Sequence, residues 1–138
     1  MRIPAFAALT LGLAVHGASA IAADERPLLQ GVSAIRVANY GTPSTVINDR
    51  GQVNSIVGEL RQLRSKAWRR ADAKLSCYAT LVLLSDTRTV SLFRISPEAV
   101  VERSPGKGQS SYSIAIEQSD LPRIGPLLAR IPPAKDCN

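Results

Sequence analysis

The chain has 138 residues, 45% of them hydrophobic, with 17 Lys and Arg against 11 Asp and Glu, a formal net charge of +6 and an isoelectric point near 9.9. This length suits one small domain around a single modest core. With one histidine and two cysteines, the side chains for a histidine- or cysteine-rich metal centre are missing.

The first stretch reads as an export signal. Met1-Arg2 is a short positive lead, Ala5 to Val15 is apolar, and Gly17-Ala18-Ser19-Ala20 gives the small-residue cleavage pattern. The apolar run is shorter than the roughly 20 residues that a membrane-spanning helix needs. Residues 1–20 are therefore expected to be a signal peptide cut after Ala20, with sites after Ala22 and Ala23 close by. That implies an exported protein of bacterial type, periplasmic or secreted, with no transmembrane segment once the signal is gone. Cleavage also removes His16, the single histidine. A mature chain without histidine cannot run Ser-His-Asp or Cys-His chemistry.

Residues 21–31 read as an irregular lead, and residues 32–138 as one domain. Val32 to Tyr40 alternates moderately, with Ile35 and Val37 on one face and Arg36 on the other, and fits a first strand. Gly41-Thr42-Pro43-Ser44 breaks it, and Thr45 to Ile47 continues the extended chain briefly. Asp49 is a helix N-cap with Gln52 at capping-box spacing. Val53, Ile56, Val57, Leu60, Leu63 and Ala67 then trace a helical apolar stripe, in a helix ending between Arg64 and Ala71. Lys74 to Asp86 is the longest run favouring β structure. It is apolar on both faces, which places it centrally in a sheet.

A polar break at Asp86-Thr87-Arg88 leads to Thr89–Ser96, read as the hairpin partner. Ala99–Arg103 is a further short strand, Ser104 to Ser110 a loop, and Ser111–Gln118 an alternating strand. Ser119 or Asp120 caps a last helix whose stripe is Leu121, Ile124, Leu127, Leu128 and Ile131. Pro122 fits its first turn, and Gly125-Pro126 weakens its middle. The order is β-α-β-β-β-β-α. This predicts an α+β fold, a mainly antiparallel sheet of about four or five strands with two helices on one face.

In an oxidising compartment the two cysteines are expected to form one disulfide, Cys77 to Cys137. Closing that loop of about 60 residues is worth about 4 kcal/mol in the chain-entropy account.

The densest charge is Arg61, Arg64, Lys66, Arg69, Arg70 and Lys74, opposed only by Asp72, with Trp68 inside the cluster. Arg61, Arg64, Trp68, Arg69 and Arg70 are the candidate binding residues, because Trp and Arg dominate interface energetics. Such a patch suits an acidic protein or an anionic envelope polymer. Nucleic acid is disfavoured by export. A solvated helix end, with cations placed by the helix dipole, accounts for the same residues.

Ser104-Pro105-Gly106-Lys107 has the Ser-x-x-Lys spacing of penicillin-binding enzymes, but Pro-Gly denies it the helix that this chemistry needs. Glu98 and Glu102 are the candidate carboxylate pair for glycosidase-type hydrolysis. No motif specifies a cofactor, a metal or a family. The leading expectation is thus a non-enzymatic binding module, an enzyme inhibitor or an immunity-type protein among its forms. A small envelope-associated structural protein ranks second, and a carboxylate-based hydrolase third.

Overall fold

A computed structural model describes residues 26–132 apart from Tyr40, Lys107 and Gln109. The expected signal peptide, residues 21–25 of the lead, Lys107 of the Ser-x-x-Lys spacing and Cys137 lie outside the described residues. The elements are β1 (Ala34–Asn39), β2 (Thr45–Ile47), α1 (Arg50–Arg64), β3 (Ala79–Ser85), β4 (Arg88–Ile95), β5 (Ala99–Arg103), β6 (Ser111–Ala115), a 3-10 turn (Gln118–Asp120) and α2 (Leu121–Arg130). The fold is α+β, with six strands in the order β2-β1-β3-β4-β5-β6 and every neighbouring pair antiparallel. The sixth strand is β2. Gly41 adopts φ +75°, open to glycine at little cost, and turns Thr45–Ile47 back against β1.

Helix α1 forms as its cap and the stripe from Val53 to Leu63 predict, but it ends at Arg64, so Ala67 lies beyond it and is exposed. Asp49 Oδ2 accepts from the Gln52 amide at 2.9 Å, satisfying one of the free first-turn donors. Val53, Ile56, Val57, Leu60 and Leu63 are all buried. They pack with Ile35, Val37, Leu81, Leu83, Phe93, Ile95, Val100 and Ile114 of the sheet and with Ile124 and Leu127 of α2, in one core cluster. Both helices therefore cover the same sheet face. Pro122 sits at the start of α2 and Pro126 inside it, and the helix still runs to Arg130.

The central run differs from expectation at its start. Pairing begins at Ala79, not near Lys74. Residues 66–78 leave α1, pass the β6 edge and run under the opposite sheet face. Arg69 and Ser113 exchange backbone bonds, Arg69 N to Ser113 O at 2.9 Å and Ser113 N to Arg69 O at 2.8 Å. Asp72 accepts from Arg94 at 2.6 Å and Arg103 at 3.3 Å, and Arg94 stacks 5.4 Å from the Tyr78 ring centroid. Val101 points to this face, opposite Val100 and Glu102, and is 0% exposed, while Leu75 is also buried. The alternating pattern of Leu75 and Cys77 thus belongs to an extended connection lying on the sheet. It is not a strand inside it.

At the other end of the chain, Asn39 Nδ2 donates to the Pro132 carbonyl. Cys77 and Pro132 share a small cavity of about 140 Å³ with Asn39, Ile95, Leu128 and Ile131. No helix among the described residues is long and apolar enough to cross a membrane.

Candidate binding surface and its buried carboxylate

Strand β5 carries Val100 and Glu102 on the face that packs against the helices, because Ala99, Val101 and Arg103 alternate onto the other. Glu102 is therefore aimed into the core and is 0% exposed. A buried carboxylate persists only when its oxygens are satisfied, and this one is. Arg64 approaches from the last turn of α1, donating Nε to Oε1 at 2.9 Å and Nη2 to Oε2. Ser91 of β4 donates Oγ to Oε2 at 2.8 Å. Arg26, at the first described position of the lead, donates Nη1 to Oε1 at 3.3 Å.

Two aromatic rings complete the enclosure. The Arg26 guanidinium carbon lies 4.7 Å from the Trp68 ring centroid and 5.1 Å from that of Tyr112, within cation–π range of both. Trp68 is fixed in turn by its indole N–H, which donates to the Leu63 carbonyl at 2.7 Å and so satisfies an open end of α1. The lead is tied to α1 twice more: Arg64 Nη1 donates to the Pro27 carbonyl at 2.6 Å, and Arg61 donates to the Leu29 carbonyl.

The five candidate residues consequently divide. Arg64, with 12% of its side chain exposed, and half-buried Trp68 are turned into the Glu102 hub. Arg61 is exposed, its guanidinium on the lead, where it flanks an open groove of about 300 Å³ with Arg50 and Asn54. Arg69 and Arg70 are exposed beside β6. Arg70 donates to Ser110 Oγ at 2.9 Å, and the Arg69 backbone is pinned by its bridge to Ser113. Lys66 leaves the patch to pair with Asp120. Asp72 is held by Arg94 and Arg103, so Arg69, Arg70 and Lys74 face solvent with no acidic partner among the described residues.

Among the described residues two carboxyl groups are displaced from their ordinary pKa, in opposite directions. Asp120 lies below the usual aspartate range, chiefly because Lys66 donates to it and next because the Glu117 amide does. Glu59 of α1 lies above the usual glutamate range because it is partly buried, with Arg130 acting against that. Glu98 and Glu102 do not form a working pair. Glu98 is exposed in the β4–β5 turn, and Glu102 is sealed behind two arginines. Ser104 to Gly106 is loop, with Gly106 at φ +113°, so Ser104 is not at a helix start. Among the described residues no group of three or more His, Cys, Asp or Glu side chains is placed to hold a metal.

Arg26, Ser91 and Tyr112 are absent from the candidates read from the sequence, and Glu102 stands there only as one half of a carboxylate pair, not as the centre of an ion hub. Glu102 had a legible signal, a charge in phase with Val100 on the core side of a strand. Arg26 had none, because it lies in a stretch without periodicity. Comparison with protein-family models, with curated proteins and with solved structures returns no match.

Proposed function

We propose that this chain is an exported, non-enzymatic binding module that recognises an anionic partner through the basic edge beside β6, with Arg69 and Arg70 at its centre and Arg61 at its margin. The observation that carries this reading is the backbone bridge between Arg69 and Ser113. It holds two exposed arginines on a rigid sheet edge, and a preordered contact surface loses less conformational entropy on binding. Arg64 and Trp68 support that surface from inside. An acidic protein fits best, as the target of an inhibitor or immunity-type protein, since a rigid edge offers fixed geometry as well as charge. An anionic envelope polymer would meet the same charges less selectively.

Cys77 beside Pro132 supports the disulfide as part of this reading. The five residue steps from Pro132 to Cys137 reach at most about 17 Å when extended. A bridge there would fasten Cys137 to the end of the sheet where β1 and β4 finish and β3 begins.

The test is capture from envelope extract by the tagged mature chain at low and high salt. One acidic protein retained through high salt is the expected result. Retention of polymer or lipid alone, lost as salt rises, would contradict a protein target, and no retention at either salt would overturn the reading.

A further inference from the structure

The enclosure around Arg26 is built almost wholly from elements other than the segment that fills it. Its acidic floor is Glu102 on β5, and its walls are Tyr112 on β6 and Trp68 after α1. Two of the three have side-chain anchors of their own, and Tyr112 is placed by its register opposite Glu102. Glu102 keeps Arg64 and Ser91 as partners, and Trp68 keeps the Leu63 carbonyl. The occupant stands on the lead, which has no helix or strand from Arg26 to Ser33. A planar cation between two π faces, bonded to a carboxylate, is the arrangement that selects guanidinium over ammonium.

From this we infer that Glu102, Trp68 and Tyr112 form a guanidinium-binding site, filled in the isolated chain by its own Arg26 and open to another arginine side chain when the lead is withdrawn. The site lies just inside the basic edge, with Trp68 and Tyr112 each one residue from the Arg69–Ser113 bridge, and is opposite in preference: it takes a cation where the edge takes an anion. Arg64 contributes by holding the carboxylate in place, and it also fixes the charge that the site accepts. With Arg64 present, one negative and one positive group already balance. The arriving cation is therefore bound by one carboxylate oxygen and two rings, not by net charge alone. That makes its selectivity depend on shape and on the π faces.

Trp68 is the single tryptophan and one wall of the site, so its emission reports occupancy directly. The experiment uses the mature chain carrying Arg26→Ala, titrated below denaturing concentrations with methylguanidinium and, in parallel, methylammonium. Methylguanidinium is expected to shift Trp68 emission saturably and to restore part of the melting temperature lost with Arg26. Methylammonium should do neither. The unsubstituted chain should not respond, because its site is full, and adding Glu102→Gln to Arg26→Ala should abolish the response. Should Arg26→Ala fail to fold, Arg26→Lys keeps a cation in place while leaving the planar contacts to be competed for, and the same titration applies. Equal responses to the two cations, or the same response in the unsubstituted chain, would overturn the assignment.

Discussion

At the level of single residues, Glu102 governs the most. Three donors from three parts of the chain converge on one carboxylate at 0% exposure. Removing one partner of a buried ion pair strands the other and costs about 3–5 kcal/mol. Glu102→Gln, which keeps the shape and removes the charge, is therefore expected to lower unfolding free energy by about 3 kcal/mol, read from urea denaturation. A loss below about 1 kcal/mol would mean that the pair behaves like a surface one.

The acid limb of stability also belongs to residues. Asp120 is held below its ordinary pKa in the fold, so its contribution is present at neutral pH and disappears as pH falls from the usual aspartate range towards the lower folded value. Asp120→Asn should remove that part of the acid-induced loss of melting temperature, at the expense of lower stability at neutral pH. Glu59 has the opposite sign: its raised pKa means that the fold gains on protonation. Its partner Arg130 is solvent-exposed at 3.5 Å, a kind of pair worth little. Glu59→Gln should consequently be neutral or stabilising at neutral pH.

Among the elements, α1 is the most legible in sequence and the 66–78 connection the least. Asp49 and the Val53-to-Leu63 stripe carry both a start signal and a period, and both reappear in the fold. The connection carries a β-like alternation of its own, because covering a sheet face imposes the same two-residue repeat as pairing within it. Only the long-range bonds of Asp72 and Ser113 separate the two cases. Strand β2 escaped as a separate element for a related reason: three residues show no period, and the reversal rests on a left-handed glycine.

Gly58 sits inside α1 with nothing within 4 Å of where a Cβ would stand. Gly58→Ala should stabilise the domain by about 0.8 kcal/mol through helix propensity alone, raising the melting temperature without affecting partner capture. The expected Cys77–Cys137 bridge is read at this scale too. The oxidised mature chain should be monomeric and about 2 Da lighter than its reduced form, and reduction should lower the melting temperature. An unchanged mass would rule the bridge out.

Over the whole molecule, the charge of this chain is divided between construction and display. The basic cluster reads in sequence as one patch because spacing along the chain says nothing about which way each arginine faces. The fold sends Arg64 inward to Glu102 and Lys66 to Asp120, and leaves Arg61, Arg69 and Arg70 at the surface. What decides the matter is a carboxylate on β5, 38 positions from Arg64, a separation that local pattern cannot bridge. The architecture was legible through its periodicities, whereas the internal ion hub required the register of β4, β5 and β6 to bring Ser91, Glu102 and Tyr112 to one place.

This division can be read out with two charge-reversed variants of the mature chain, Arg64→Glu and the double variant Arg69→Glu with Arg70→Glu, each followed by thermal melting and by capture from envelope extract. Arg64→Glu is expected to unfold at a much lower temperature, because it places like charge against Glu102. The double variant should melt like the unsubstituted chain and lose its partner. A double variant that is folded and still retains the partner would contradict the proposed surface, and an Arg64→Glu chain of unchanged melting temperature would contradict the scaffold beneath it.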